Sequence, residues 1–234
     1  YHQGVLAIDE AVGKLVAALK ETGQYENTLI VFTSDQGIAW GQHGFRVKLA
    51  PYDATILSPM IVSMPSRLPS GKVCSHPVSG VDLPPTFFSF AGIDLPWKMH
   101  GYDLSPLLKR PESAPWSKPV LTGLTGSSYG KDCNKIPTPS DHEAGGKKLY
   151  LGPDPGVPWW VSLRDGDLKY IRTLIEGEVE ELYNLKEDPE ELINLARNPA
   201  HRRKVLELRE KTIAELKRTD AGMVDDLPKP ATLP

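Results

Sequence analysis

Asp35 and Gln36 place a carboxylate and an amide oxygen side by side at the end of a short apolar run, just before Gly37. Inside a regular strand two successive side chains face opposite ways. Past the strand end, beside a glycine, both can turn toward one ion. Oxygen donors of this kind suit a hard cation such as Ca²⁺ better than Zn²⁺. On these residues alone, a polar turn at a strand end is the simpler account. A second stretch carries chemistry-bearing types as well. Gly41-Gln42-His43-Gly44 is a glycine-flanked histidine loop, and Lys48 follows four residues later. A histidine there either contacts a ligand or shapes its loop, and a lysine there is ordinarily solvated. A third motif, Ser63-Met64-Pro65-Ser66-Arg67, holds a hydroxyl nucleophile candidate beside an arginine.

The elements that must hold these residues read as follows. Residues 3–22 form an amphipathic helix with an apolar stripe of Val5, Ile8, Val12, Leu15, Val16 and Leu19, closed by Gly23. Thr28 to Thr33 is a strand apolar on both faces, and Pro59 to Met64 a second one. Asp82 is the N-cap of a helix that runs through Pro84 and Pro85 to Gly92. Strand 28–33 should be central in a mainly parallel sheet, because a helix feeding a strand of this kind belongs to α/β architecture. Ligand sites of such sheets lie outside the carboxyl ends of the strands, where Asp35 and Gln36 sit.

From about Met99 to Pro158 the pattern is irregular apart from a short strand at Lys118–Thr122. Trp159 to Arg164, the Asp165-Gly166 hairpin signal and Leu168 to Arg172 then give two antiparallel strands. Glu178 to Leu182 is a third strand, and Ala200 to Arg218 a packed helix. The tail from Asp220, with three prolines, reads as loosely held.

The chain has 234 residues and a formal charge of −3, which argues against a general nucleic-acid or membrane-surface binder. No apolar run is long enough to span a bilayer. Cys74 and Cys133 allow one disulfide at most and lack metal-site spacing.

The order of these motifs resembles the sulfatase family of the alkaline-phosphatase superfamily. The resemblance rests on Ile8-Asp9-x-x-Val12-Gly13, Ser34-Asp35-Gln36-Gly37, Gly41-Gln42-His43-Gly44, Lys48, and Val78 to Thr86. Arg164-Asp165-Gly166-x-x-Lys169-Tyr170 and Glu181-Leu182-Tyr183-Asn184-Leu185 continue it. It covers nearly the whole chain except 123–158 and the tail. It implies an α/β fold with a mainly parallel sheet flanked by helices, then a small antiparallel sheet with a packed C-terminal helix. Residues 1–122 would belong to the catalytic domain, 123–158 to an irregular loop, and 159–234 to the small subdomain and tail.

The resemblance further implies Asp35 and Gln36 as Ca²⁺ ligands, with Gln36 standing where other members use Asn or His. It implies Lys48 on the sulfate oxygens, and His43 either near the substrate or shaping its loop. The expected reaction is hydrolysis of a sulfate ester, carbohydrate or small aryl or alkyl, through a formylglycine nucleophile expected upstream of residue 1. A periplasmic, secreted or lysosomal setting would fit that family. The formylglycine signature, Cys or Ser followed by x-Pro-Ser-Arg, is matched by Ser63 to Arg67. That match falls after the Asp-Gln motif rather than before it and overlaps a strand, so Ser63 is expected not to be the nucleophile. Two other readings remain: a phosphodiesterase or phosphonate monoester hydrolase of the same superfamily, and a non-catalytic binding domain on the same scaffold.

Overall fold

A computed structural model describes residues 2–125, 135–136 and 157–234. These fold into two compact units. The first is formed by Tyr1–Ser34, Pro59–Ser75 and Val81–Trp116, and the second by Asp35–Ser58, His76–Gly80 and Ser117–Pro234.

In the first unit, α1 (His2–Glu21) carries the expected stripe, but none of its residues is fully buried. Val12, Val16 and Leu19 are half-buried, while Val5, Ile8 and Leu15 are exposed. β1 (Ile30–Thr33) pairs antiparallel with β4 (Met60–Ser63), Ile30 opposite Ser63 and Thr33 opposite Met60. Among the described residues β1 and β4 form a two-stranded sheet, and the parallel neighbours expected of β1 are not among them. The link between these strands holds two two-residue strands, a 3-10 turn and a four-residue helix. The strand is also half-buried rather than buried on both faces. A run of apolar residue types states what the strand requires, not which neighbours this chain contributes.

α3 (Leu83–Ala91) ends as read, with Gly92 in the left-handed region (φ 68°). Asp82 precedes it but its side chain does not cap the helix. The buried carboxylate instead accepts the backbone N–H of Tyr102 at 2.7 Å. Gly101, just before, lies so close to the carbonyl of Val81 that a Cβ would fall 1.8 Å from it. Asp82 therefore ties the segment after α3 back onto the helix start. α4 (Ser105–Lys109) follows.

The second unit is built on a four-stranded antiparallel sheet in the order β5 (Val120–Leu124), β6 (Trp160–Asp165), β7 (Leu168–Thr173) and β8 (Glu181–Asn184). β5 begins after Pro119, which has no N–H to give the ladder, and runs to Leu124, two residues into the stretch read as an irregular loop. Most of that stretch lies outside the described residues. The β6–β7 turn uses Gly166 at φ 61°.

Strand alternation divides the sheet. Leu163, Tyr170 and Leu182 pack with Val205 and Leu208 of α5 (Arg202–Arg218). Ile171, Tyr183 and Leu185 form a separate cluster with Tyr52 packed against it. The second unit also holds β2 (Ala39–Trp40), β3 (Arg46–Val47) and α2 (Asp53–Ile56).

The tail is not loose. The carbonyl of Lys229 accepts from Gly177 N–H, and Ala231 N–H donates to the carbonyl of Glu178, both at 2.8 Å. Leu233 is buried in the core beneath α5, and Arg202 holds its carbonyl at 3.0 Å. β8 starts at Glu181 rather than Glu178, whose carbonyl is taken by this strap. Among the described residues no helix is long and apolar enough to cross a membrane.

Candidate functional site

Asp35, Gln36, His43 and Lys48 all belong to the second unit. The loop that carries them is shaped by close approach and by left-handed backbone. Gly37 N–H donates to the carbonyl of Thr55 at 3.0 Å, and a Cβ on Gly37 would meet the carbonyl oxygen of Ala54 at 2.5 Å. Glycine is thus required there by α2, not by a special φ. β2 and β3 form a hairpin, Ala39 opposite Val47 and Trp40 opposite Arg46. Its turn takes positive φ at Gly41, His43 and Gly44. Histidine at φ 53° is an uncommon conformation for a residue with a side chain, and it is held by its surroundings. The His43 ring stacks on Tyr52, centroids 3.7 Å apart and nearly coplanar. Its Nε2 donates to the carbonyl of Glu190 at 2.9 Å. With Nε2 so engaged, Nδ1 is the ring nitrogen left for other chemistry.

The ammonium of Lys48 lies 3.1 Å from Oδ2 of Asp35, with both side chains substantially exposed. The other oxygen of Asp35 accepts the backbone N–H of Gln36 at 2.9 Å. Lys48 above all, then the Gln36 N–H, holds the Asp35 carboxyl below its ordinary range. Immediately after Lys48, the indole of Trp160 donates to the carbonyl of Leu49 at 2.8 Å. Ala50 is buried, and its carbonyl takes the Thr55 hydroxyl. The lysine stem therefore leaves a backbone pinned on its C-terminal side.

Asp35 and Gln36 offer oxygen donors of the type a hard cation takes. Among the described residues no group of three or more His, Cys, Asp or Glu side chains is disposed to hold a metal. These two donors fit Ca²⁺ in chemistry but are too few to hold it by themselves.

The sequence motifs did not by themselves assign roles to Tyr52, Asp53, Lys169 and Glu191. Lys169 is buried between Asp53 and Glu191, 2.7 Å from each carboxylate. The signal was in the hairpin: Arg164 and Lys169 face each other directly across β6 and β7, and two opposed cations call for an anion.

The Ser63–Arg67 motif belongs to the first unit. Ser63 is a β4 residue paired with Ile30, and Met64 is buried. The Ser66 hydroxyl donates to the carbonyl of Glu26. Arg67 donates to the carbonyl of Phe90 at 3.0 Å, its guanidinium 5.0 Å from that ring's centroid. These contacts account for the Ser66 hydroxyl and the arginine, and Ser63 is held in β4 by its pairing with Ile30.

The sulfatase family model matches residues 1–93. An N-acetylglucosamine-6-O-sulfatase of Bacteroides thetaiotaomicron is 29% identical over 225 residues, covering 94% of this chain and 36% of that protein. A protein solved in complex with its substrate, D-glucosamine-2-N,6-O-disulfate, superposes with a TM-score of 0.75 at 28% identity, over 95% of this chain and 40% of the other. The chain is similar to proteins of the sulfatase family. Its α/β fold is accordingly of the alkaline-phosphatase type, although the strands that pair within the described residues are antiparallel. A phosphonate monoester hydrolase from Silicibacter pomeroyi is also similar, with a TM-score of 0.70 at 28% identity over 93% of this chain and 40% of that one. The chain spans about two fifths of the length of the relatives it matches.

Proposed function

We propose that the protein carrying this chain hydrolyses a sulfate ester, and that residues 35–48 form the part of its site facing the ion and the sulfuryl group. The observation that supports this is the 3.1 Å contact between Lys48 and Asp35, within the stretch that matches the sulfatase family model. The side chain assigned to sulfate and the one assigned to the cation lie together on one pinned loop. Asp35 and Gln36 would give oxygen ligands to Ca²⁺, which when bound supplies positive charge beside the sulfuryl oxygens. The Lys48 ammonium stabilises negative charge on those oxygens and on the departing ester oxygen. His43 holds the turn through Tyr52 and Glu190, and its Nδ1 is the ring nitrogen left to meet a substrate hydroxyl.

A formylglycine nucleophile outside residues 1–234 completes the proposal. In this reading 1–122 belong to the catalytic α/β domain and 159–234 to the small C-terminal subdomain. The relative's name and the glucosamine disulfate complex favour a carbohydrate sulfate over a small aryl or alkyl sulfate. The similarity to a phosphonate monoester hydrolase supports a second reading, in which the same cation and lysine face a phosphonate ester.

The test is turnover of sulfate and phosphonate monoesters by the full-length protein across a Ca²⁺ titration, with folding checked for each variant. Lys48→Ala should lower sulfate-ester turnover by at least about 10²-fold, the scale for one well-placed donor, without rescue by Ca²⁺. Asp35→Ala should lose activity and regain part of it at high Ca²⁺. A folded Lys48→Ala protein with wild-type turnover would remove the sulfate role of this loop, and preference for the phosphonate ester would establish the second reading.

A further inference from the structure

The buried ions behind the loop have a geometry that neither the family match nor the relatives' names assign. Arg164, Lys169 and Tyr183 are directly opposed across β6, β7 and β8, which puts them in one row on one face of the sheet. Two cations side by side in such a row repel unless an anion lies over them. Asp53 supplies it, with Oδ1 2.7 Å from the Lys169 ammonium and Oδ2 3.5 Å from the Arg164 guanidinium. Glu191 completes the cluster. One of its carboxylate oxygens lies 2.7 Å from Lys169, and the other accepts the backbone N–H of Asp53 at 2.6 Å. Asp53 is therefore held by side chain and main chain together.

We infer that Lys169 is a positioning residue for the His43–Lys48 loop, acting through Asp53 and Tyr52. Its importance for chemistry rests on the reading of that loop as the sulfate-facing part of the site. Tyr52, one residue before Asp53, stacks on His43 and donates its hydroxyl to Glu181 at 3.2 Å. The carbonyl that holds His43 belongs to Glu190, one residue before Glu191. Two adjacent pairs, 52–53 and 190–191, thus clasp the loop, and Lys169 is the cation both carboxylates share. Glu191 takes φ 56°, a left-handed conformation in a residue with a side chain, while its carboxylate meets this contact. A cluster needed only for stability would not have to touch the loop. Glu180, Arg209 and Tyr170 form such a cluster: Glu180 is fully buried, Arg209 Nε lies 2.7 Å from it, and the Tyr170 hydroxyl also donates to it.

The experiment compares Lys169→Met with Arg209→Met in the whole protein. Two readouts follow the loop, and global unfolding is recorded for both variants. The first is the His43 ring-proton resonance, displaced by the stacked Tyr52 ring. The second is hydrogen exchange of the turn amides of Gly41, Gly44 and Phe45. Lys169→Met should abolish the His43 displacement and speed turn exchange by at least about tenfold beyond the change in global stability. Arg209→Met should lower global stability and leave both loop readouts in place. If Lys169→Met does not fold, Asp53→Asn, which keeps the side chain's shape, takes its place with the same expected changes. An unchanged His43 signature in the folded variant, or equal loss in Arg209→Met, would overturn the inference. Neither readout depends on turnover, so failure of the sulfate assignment at Lys48 would leave this result standing, and the reverse.

Discussion

Two lysine–aspartate pairs serve one loop and differ in almost every physical respect. Lys48 and Asp35 meet at 3.1 Å with 41% and 69% of their side chains exposed. Lys169 and Asp53 meet at 2.7 Å with 2% and 13% exposed. An exposed pair is screened by water and salt and adds little to stability, so each member can exchange its partner for a ligand at small cost. A buried pair has lost its hydration, and removing one member strands the other. The contrast separates two tasks that share the same residue types. In the proposed reading the exposed pair meets a cation and an anionic ester. The buried pair is fit to hold the backbone that presents them.

The largest expected effect comes from stranding charge in the buried cluster. Asp53→Ala leaves Lys169 and Arg164 opposed without their shared anion. It should lower the unfolding free energy by about 3–5 kcal/mol, the range for breaking one side of a buried pair, as read by urea denaturation. A loss no greater than that of an ordinary surface substitution would mean the cluster is hydrated and the contrast is wrong.

A smaller effect of opposite character is expected at Glu191. Burial raises its carboxyl above the ordinary range, with Lys169 opposing the shift. The folded state therefore binds this proton more readily than the unfolded state. The stabilising contribution is full below the unfolded pKa and is lost as pH rises through the folded one. Glu191→Gln, which imitates the neutral form, should unfold at the same urea concentration as wild type, or a higher one, at pH 7. The difference should close as pH falls toward 4. A clear destabilisation at pH 7 would show that the Lys169 contact outweighs burial there.

The local signals legible in the sequence were those set by neighbours along the chain. The Asp-Gly hairpin, the α3 helix with its Gly92 end and the C-terminal helix α5 all depend on short-range chemistry. What did not follow depends on partners far along the chain. The glycine type at Gly37 suggests backbone freedom, yet its constraint is the carbonyl of Ala54. Asp82 has the residue type and place of a cap, yet it serves the N–H of Tyr102. The composition of the proline-rich tail does not reveal that Lys229 and Ala231 find backbone partners at Gly177 and Glu178. For β1, residue types pointed to burial on both faces and parallel neighbours, but those neighbours are not among the strands described here. At the site, oxygen donors and a lysine were readable as types. That Lys48 contacts Asp35, and that His43 rests on Tyr52 and Glu190, required the fold.

The smallest expected effect on stability, and the sharpest test of the exposed pair, concerns Asp35. Lys48 is the largest cause of its lowered pKa, followed by the Gln36 backbone and side chain. A carboxyl with a depressed folded pKa contributes stability above its unfolded pKa and loses it as pH falls through the folded value. Here both groups are in water, so the unfolding midpoint of Lys48→Ala at pH 7 should match wild type. The Asp35 carboxyl, followed by carbon-13 chemical shift, should nevertheless titrate at higher pH in the variant, with part of the depression retained through Gln36. Raising ionic strength from about 0.1 to 1 M, which shortens the screening length from about 10 to 3 Å, should raise the wild-type Asp35 pKa toward the variant's and move the variant little. A wild-type value insensitive to both the substitution and salt would mean Lys48 does not reside on Asp35 in solution. The lysine would then be an ordinary solvated side chain, and the distinction between an exchangeable pair and an anchoring pair would fail on its exposed side.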